Sequence, residues 1–388
     1  MQHDTKQRMH SHGPMTGVRI VDMTSVGMGP YATQILGDMG AEVIKVEAPE
    51  GDIFRHPAPI KSEGMSAVFL NLNRNKRSIT LDVKQADDRA RLLALIDGAD
   101  VFVSNIRPQA LTRLGLDSDS LLERNPRLIY CAAVGFGQDG PYAGRPAFDD
   151  IIQAMCGLAS LQGRDDGTPR YVKTIMADKV AGLTLAYAIP MALYEREHSG
   201  KGQAIEVPMF ETLSSFVLVE HLGGHTFRPP IAPMGYPRVL APDRRPYRTA
   251  DGFIALLPYT DGQWQRFFSC AGRDDLASDA RFATAMARTK HYDALYAELS
   301  AIVETRRTAD WLEVLAGEDI PHSRIATLED LLEDPHLAAT GLFRNEQHPT
   351  EGEIVTLAPT VRFGRTPATL RHAAPAQNSD SNFTWDAD

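Results

Sequence analysis

Short apolar runs alternate with helix-patterned segments along the first half of the chain, and that alternation leaves few folds open. Val18–Met23, Glu42–Val46, Ile79–Val83, Asp100–Ser104, Leu128–Val134 and Ala204–Met209 read as strands. Pro30–Met39 and Gln85–Ile96 read as helices between them, the first with proline in its opening turn. Such alternation builds a parallel sheet covered by helices on both faces. The expected class is α/β, with a doubly wound, Rossmann-like large domain. Ligands of such sheets bind at the carboxyl ends of the strands.

A chain of 388 residues has room for more than one domain. Residues 1–15 read as a flexible polar arm and 16–222 as the first part of the large domain. The proline-rich stretch 223–246 reads as a linker, and 247–326 as a smaller α+β domain. Residues 327–372 return to complete the large domain, and the Ala-, Asn-, Ser- and Asp-rich end, 373–388, reads as a mobile tail. The net charge of −10 disfavours extended contact with nucleic acid. Cys131, Cys156 and Cys270 are too scattered for a disulfide framework or a zinc motif, and fit a reducing cytoplasm. The first residues show no apolar signal core, and no apolar run is long enough to span a bilayer, so no membrane partner is expected.

The stretch Tyr171–Arg196 carries the main candidate for chemistry. Its apolar run, Val180–Leu193, reads as a buried helix that opens on Asp178 and is stopped by Ser199-Gly200-Lys201-Gly202-Gln203. A carboxylate at a helix start is favoured in its ionised form by the unpaired N–H groups there. Held beside apolar surroundings it can act as a nucleophile, although Asp is also a common structural cap.

Two further motifs face competing readings. Gly27-Met28-Gly29-Pro30-Tyr31-Ala32 matches GxGxxA, with Glu47 20 positions after Gly27, which is the outline of a dinucleotide-binding turn and of a nicotinamide-dependent oxidoreductase. The loop after Glu47 breaks the strand–helix alternation and weakens that reading, and the glycines also suit any tight turn. The run Asn71-Leu72-Asn73-Arg74-Asn75-Lys76-Arg77-Ser78 reads either as a solvated turn or as a clamp in which Arg74, Lys76 and Arg77 hold phosphates. Asn105 ends one strand, Arg113 lies on a short helix beyond it, and Val134-Gly135-Phe136-Gly137 lets a ligand approach the backbone.

Taken in order, Gly29-Pro30-Tyr31-Ala32-Thr33-Gln34, Gly40-Ala41-Glu42-Val43-Ile44-Lys45-Val46-Glu47, Asn75-Lys76-Arg77-Ser78, Gly135-Phe136-Gly137 and Ser199–Gln203 resemble the family III CoA-transferases. That group contains formyl-CoA transferase and the carnitine CoA-transferases. The resemblance runs from about Gly17 to Phe363 and implies an interlocked homodimer. It implies Asp178 as the nucleophile, acting through a mixed anhydride and an aspartyl-CoA thioester. It also implies CoA contacts at Val26, Gly27, Asn73, Arg74, Asn75, Lys76, Asn105, Ile106, Arg113, Val134, Gly135, Phe136 and Gly137. The substrates implied are an acyl-CoA and a carboxylic acid, with no metal and no permanently bound cofactor. Val134 stands where some members carry lysine, and Ser25 and Gly27 where formyl-CoA transferase has histidine and glutamine. Formyl and oxalyl substrates are therefore not implied. The related α-methylacyl-CoA racemases use a histidine before an aspartate in the segment after the glycine turn. Here Phe148 precedes Asp149, and a phenyl ring exchanges no proton. Transfer is thus favoured over racemisation, and a non-catalytic CoA-binding protein remains the reading outside enzymology.

Overall fold

The computed structural model describes residues 13–385. Within them the chain forms two compact units. One takes the residues up to Val217 and those from His336 onward, and the other is Leu218–Pro335.

The first unit is built on six parallel strands: β1 (Arg19–Met23), β2 (Glu42–Glu47), β3 (Lys76–Thr80), β4 (Val101–Ser104), β5 (Ile129–Val134) and β6 (Gln203–Pro208). Their spatial order, β3-β2-β1-β4-β5-β6, is the doubly wound order expected from the alternation. The helices are α1 (Met28–Asp38), α2 (Ala67–Asn73), α3 (Ala86–Asp97), α4 (Pro108–Leu114), α5 (Ser118–Arg124), α6 (Asp149–Met155), α7 (Leu158–Gln162), α8 (Met176–Ser199) and α9 (Met209–His221). Because strand side chains alternate, each strand feeds both faces. Ile20, Val43, Val101 and Ile129 pack with α1, α6 and α8. Val21, Ile44, Phe102 and Tyr130 pack with α3, α4 and α5. Strand order reverses between β1 and β4, so their carboxyl ends open a crevice.

Helix α8 is the long helix expected from the apolar run. Ala181, Leu185 and Ile189 are fully buried on one side, and Gly200, at φ 75°, ends it in the left-handed conformation that glycine adopts freely. Gly182 lets α8 lie directly on α1, since a Cβ there would stand 2.8 Å from the Met28 carbonyl oxygen.

Several sequence expectations change. β3 begins at Lys76, inside the cationic run, so these residues alternate across a sheet instead of forming a turn. The tail is pinned: Ser78 N–H donates to Asp380 Oδ2 at 3.1 Å, and Trp385 Nε1 donates to the Leu95 carbonyl at 2.7 Å. Trp385 packs where a Cβ on Gly98 would be, 2.7 Å from its ring. Of the expected arm, residues 1–12 lie outside the described residues, as do 386–388 of the tail, while Met15 is buried in the core.

The second unit has its own core around Trp264, Phe267, Phe268 and Trp311. Tyr247–Arg248 and Phe253–Leu256 pair antiparallel as expected, and His322–Arg324 adds a third strand, short and polar, with no apolar signal in the sequence. The stretch read as a linker, 223–246, belongs to this unit, as do the residues from 327 to Pro335.

Candidate active site

The crevice at the β1/β4 ends holds a cavity of about 260 Å³ with Asp178 in its wall. Ser25 and Val26 line it from the loop after β1, Asn105, Ile106 and Arg107 from the loop after β4, and Val134, Gly135 and Phe136 from the end of β5. The two strand ends are tied together. Asn105 accepts from Ser25 N–H at 3.1 Å and returns a bond to the Ser25 carbonyl at 2.8 Å.

Asp178 lies in the first turn of α8, as expected, and is 8% exposed. Gly27 is against its carboxylate: a Cβ on Gly27 would stand 2.6 Å from Asp178 Oδ2. A side chain at that position would displace the carboxylate from where it lies here. The Met28 N–H, first in α1, lies near enough to the Asp178 carboxylate to favour its ionised form. Asp149 Oδ1 accepts from the Asp178 N–H at 3.1 Å, and Asp149 Oδ2 accepts from Gln153. The helix start was expected to keep Asp178 readily ionised. Burial outweighs that effect and, with the Asp149 charge nearby, pushes Asp178 up to about 6, while the Met28 N–H pulls the other way.

The Val26 backbone is unusual. Its φ is 70°, a left-handed conformation that a β-branched residue rarely adopts. The turn is held from behind by Asp52, whose Oδ1 accepts from Val26 N–H at 3.0 Å.

Val26, Asn105, Ile106, Val134, Gly135 and Phe136 thus come together with Asp178 as expected, with Gly27 behind the carboxylate. The cationic run does not. Lys76 is buried and donates to Asp22 Oδ2, Asn73 Oδ1 and the Pro30 carbonyl. Arg74 forms a fork with both Asp38 oxygens, at 3.0 and 2.6 Å, and Asn75 Nδ2 donates to Asp38 Oδ1. Arg77 faces outward beside Asp380. Arg113 is exposed, and neither it nor the cationic run lines the cavity. The Gly137 N–H is committed to Glu211 Oε1 at 3.0 Å.

Sequence reasoning missed Arg107 and Arg145. Both line the cavity, and neither has an acidic partner among the described residues. The Arg145 guanidinium lies 4.7 Å over the Tyr142 ring. Their signal was weak, because isolated arginines beside prolines look like ordinary surface loops. The dinucleotide reading loses its acidic residue: Glu47 is buried in a pair with Arg55 at 2.6 Å and accepts from Ser78. Phe148 lines the cavity, and no histidine does so among the described residues.

The sequence profile of CoA-transferase family III matches residues 15–381. The succinate–glutarate CoA-transferase of Agrobacterium fabrum is 35% identical, over 94% of this chain and 92% of its own length. The crystal structure of a CAIB/BAIF family protein from Brucella suis superposes with a TM-score of 0.79 at 34% identity, covering 95% of this chain and 98% of the other. That of the Mycobacterium tuberculosis protein Rv3272 gives 0.83 at 30% identity, covering 96% and 99%. The chain belongs to CoA-transferase family III and is an enzyme that moves coenzyme A from an acyl thioester to a carboxylic acid.

Proposed function

We propose that Asp178 is the nucleophile and carries the transferred group covalently. The observation that supports this most is its setting: among the described residues it is the one acid lining the β1/β4 crevice, buried, against Gly27 and near the Met28 N–H. With its carboxyl at about 6, the group is mainly ionised at neutral pH yet poorly solvated, which suits attack on a thioester.

In the first step an Asp178 oxygen attacks the donor carbonyl carbon, the C–S bond breaks, and a mixed anhydride and the CoA thiolate result. The thiolate attacks the aspartyl carbonyl, releases the donor as a carboxylate, and leaves an aspartyl-CoA thioester. The acceptor carboxylate then attacks that thioester, giving a second anhydride and the thiolate. The thiolate takes the acceptor acyl group, and Asp178 is restored. No electrons are gained or lost. Each addition places negative charge on an oxygen, for which N–H groups at the start of α1 are candidate donors.

The CoA chain would run along Val26, Asn105, Ile106 and Val134–Phe136. Arg107 and Arg145 are the cations free to meet its phosphates, a role the sequence had suggested for Arg74, Lys76 and Arg77. Replacing Asp178 by Ala should abolish transfer while calorimetry still detects CoA-ester binding. Loss of binding together with folding would make Asp178 a structural residue.

An interlocked homodimer is part of the proposal. Leu183, Tyr187, Met191 and Tyr194 are 50 to 70% exposed on one face of α8, an apolar stripe that a second copy would cover. Among the described residues no helix is long and apolar enough to cross a membrane. The free cysteines fit a cytoplasmic setting.

A further inference from the structure

We infer that the buried Lys45–Asp52 pair is a positioning device that sets the Val26–Gly27 turn against the Asp178 carboxylate. The inference rests on the reading of Asp178 as nucleophile, and assigns work to two residues outside the cavity lining.

The starting point is the conformation of Val26. A left-handed backbone at a β-branched residue is strained and persists only when its surroundings over-determine it. Three side chains do so here. Asn105 brackets Ser25 through both its N–H and its carbonyl. Lys45 Nζ donates to the Thr24 carbonyl at 2.7 Å. Asp52 Oδ1 accepts from Val26 N–H at 3.0 Å. Lys45 and Asp52 are locked to each other at 2.8 Å, both side chains wholly buried. Asp52 Oδ1 also accepts from Phe54 N–H at 2.9 Å, so one carboxylate fixes both the Val26 turn and the segment bearing Ile53, another cavity residue. The Asp52 backbone is anchored in turn, its N–H donating to Glu47 Oε2 at 3.0 Å.

The strained turn leads straight into Gly27 and the Met28 N–H. A shift of the turn would therefore open the close contact between Gly27 and the Asp178 carboxylate and carry the Met28 N–H away from it. Catalytic geometry is steep in such shifts, with losses approaching 100-fold for roughly 1 Å.

Deleting one partner of a buried ion pair is strongly destabilising, whereas replacing both by neutral groups of similar volume is often tolerated. The test therefore compares two double variants that both lack the charges. Lys45→Met with Asp52→Asn retains an oxygen acceptor for the Val26 N–H. Lys45→Met with Asp52→Leu removes it. The readouts are the single-turnover rate of acyl-adduct formation on Asp178, followed by mass spectrometry, and the pH profile of kcat/KM. The Asn variant should be slowed only by the loss of the Lys45 bond to the Thr24 carbonyl. The Leu variant should be at least roughly tenfold slower than the Asn variant. Its acid limb should move to higher pH, because the Met28 N–H that favours ionised Asp178 is displaced.

Equal rates and equal pH profiles in the two variants would overturn the inference. If the Leu variant fails to fold, hydrogen exchange at the Val26 amide of the wild-type enzyme decides. Protection comparable to the β1 core supports the clamp, and free exchange refutes it. Absence of an Asp178 adduct in the wild-type enzyme would instead sink the nucleophile reading itself.

Discussion

Burial and the Asp149 charge hold Asp178 near 6, so at pH 7 roughly nine in ten molecules carry the nucleophile in its charged form. The same shift is a cost to the fold. The folded protein binds this proton more tightly than the unfolded chain, so ionised Asp178 destabilises the native state above pH 6. That penalty fades as pH falls from about 6 to about 4, where the unfolded chain also takes up the proton. Asp178→Asn should therefore be inactive yet more stable than wild type by about 3 kcal/mol at pH 8. Denaturant unfolding across pH 4 to 8 should find the gap closing at the acid end, and a gap independent of pH would refute the assignment. The kcat/KM of the wild-type enzyme should fall with one-proton slope below about pH 6. Arg74 leads to the opposite kind of prediction. Its fork to buried Asp38 means that Arg74→Ala should cost about 3–5 kcal/mol of stability. Substrate titrations should find KM for the CoA ester unchanged, and a raised KM would return Arg74 to the phosphate site. Asp178 was legible because it opens a helix whose apolar run is unmistakable. The partners of Arg74 and Lys76 were not, because Asp38 and Asp22 come from other elements brought near only by the parallel sheet.

Among the elements, the start of α1 packs on the first two turns of α8, and Gly182 sets their separation. Gly182→Ala would place a methyl group 2.8 Å from the Met28 carbonyl, which is backbone and cannot swing away. The helices must part, and the Met28 donor moves with α1. The variant should fold with a modest loss of stability and lose transfer activity disproportionately, as steady-state kinetics beside thermal melts would reveal. Activity that falls only in step with stability would mean that the helix spacing is not catalytically tuned. The inner strands β1, β2, β4 and β5 were readable within a residue or two, because they are buried on both faces. The start of β3 was not, since Lys76 and Ser78 point inward to ion-pair and hydrogen-bond partners. The tail misled for a related reason: its composition suggests mobility, but Asp380 and Trp385 find specific partners on the sheet and α3.

At the scale of the molecule, the two compact units and the exposed stripe on α8 set the remaining expectations. If a second copy covers Leu183, Tyr187 and Met191, then Tyr187→Glu with Met191→Glu should yield a smaller species in sedimentation equilibrium, whereas an unchanged mass would place the interface elsewhere. The βα order of the first unit followed from local pattern alone. The boundaries of the second did not, because the proline-rich stretch after Gly223 carries no periodicity and yet packs within that unit. The central claim is covalent transfer through Asp178, and intact-protein mass spectrometry with a panel of acyl-CoAs, trapping by hydroxylamine or borohydride and peptide mapping tests it most directly. The account predicts an adduct on the peptide bearing Asp178, absent in Asp178→Ala. No adduct with any ester that the enzyme demonstrably turns over would contradict it, and exchange of the α-proton with deuterated solvent in its place would point to isomerisation.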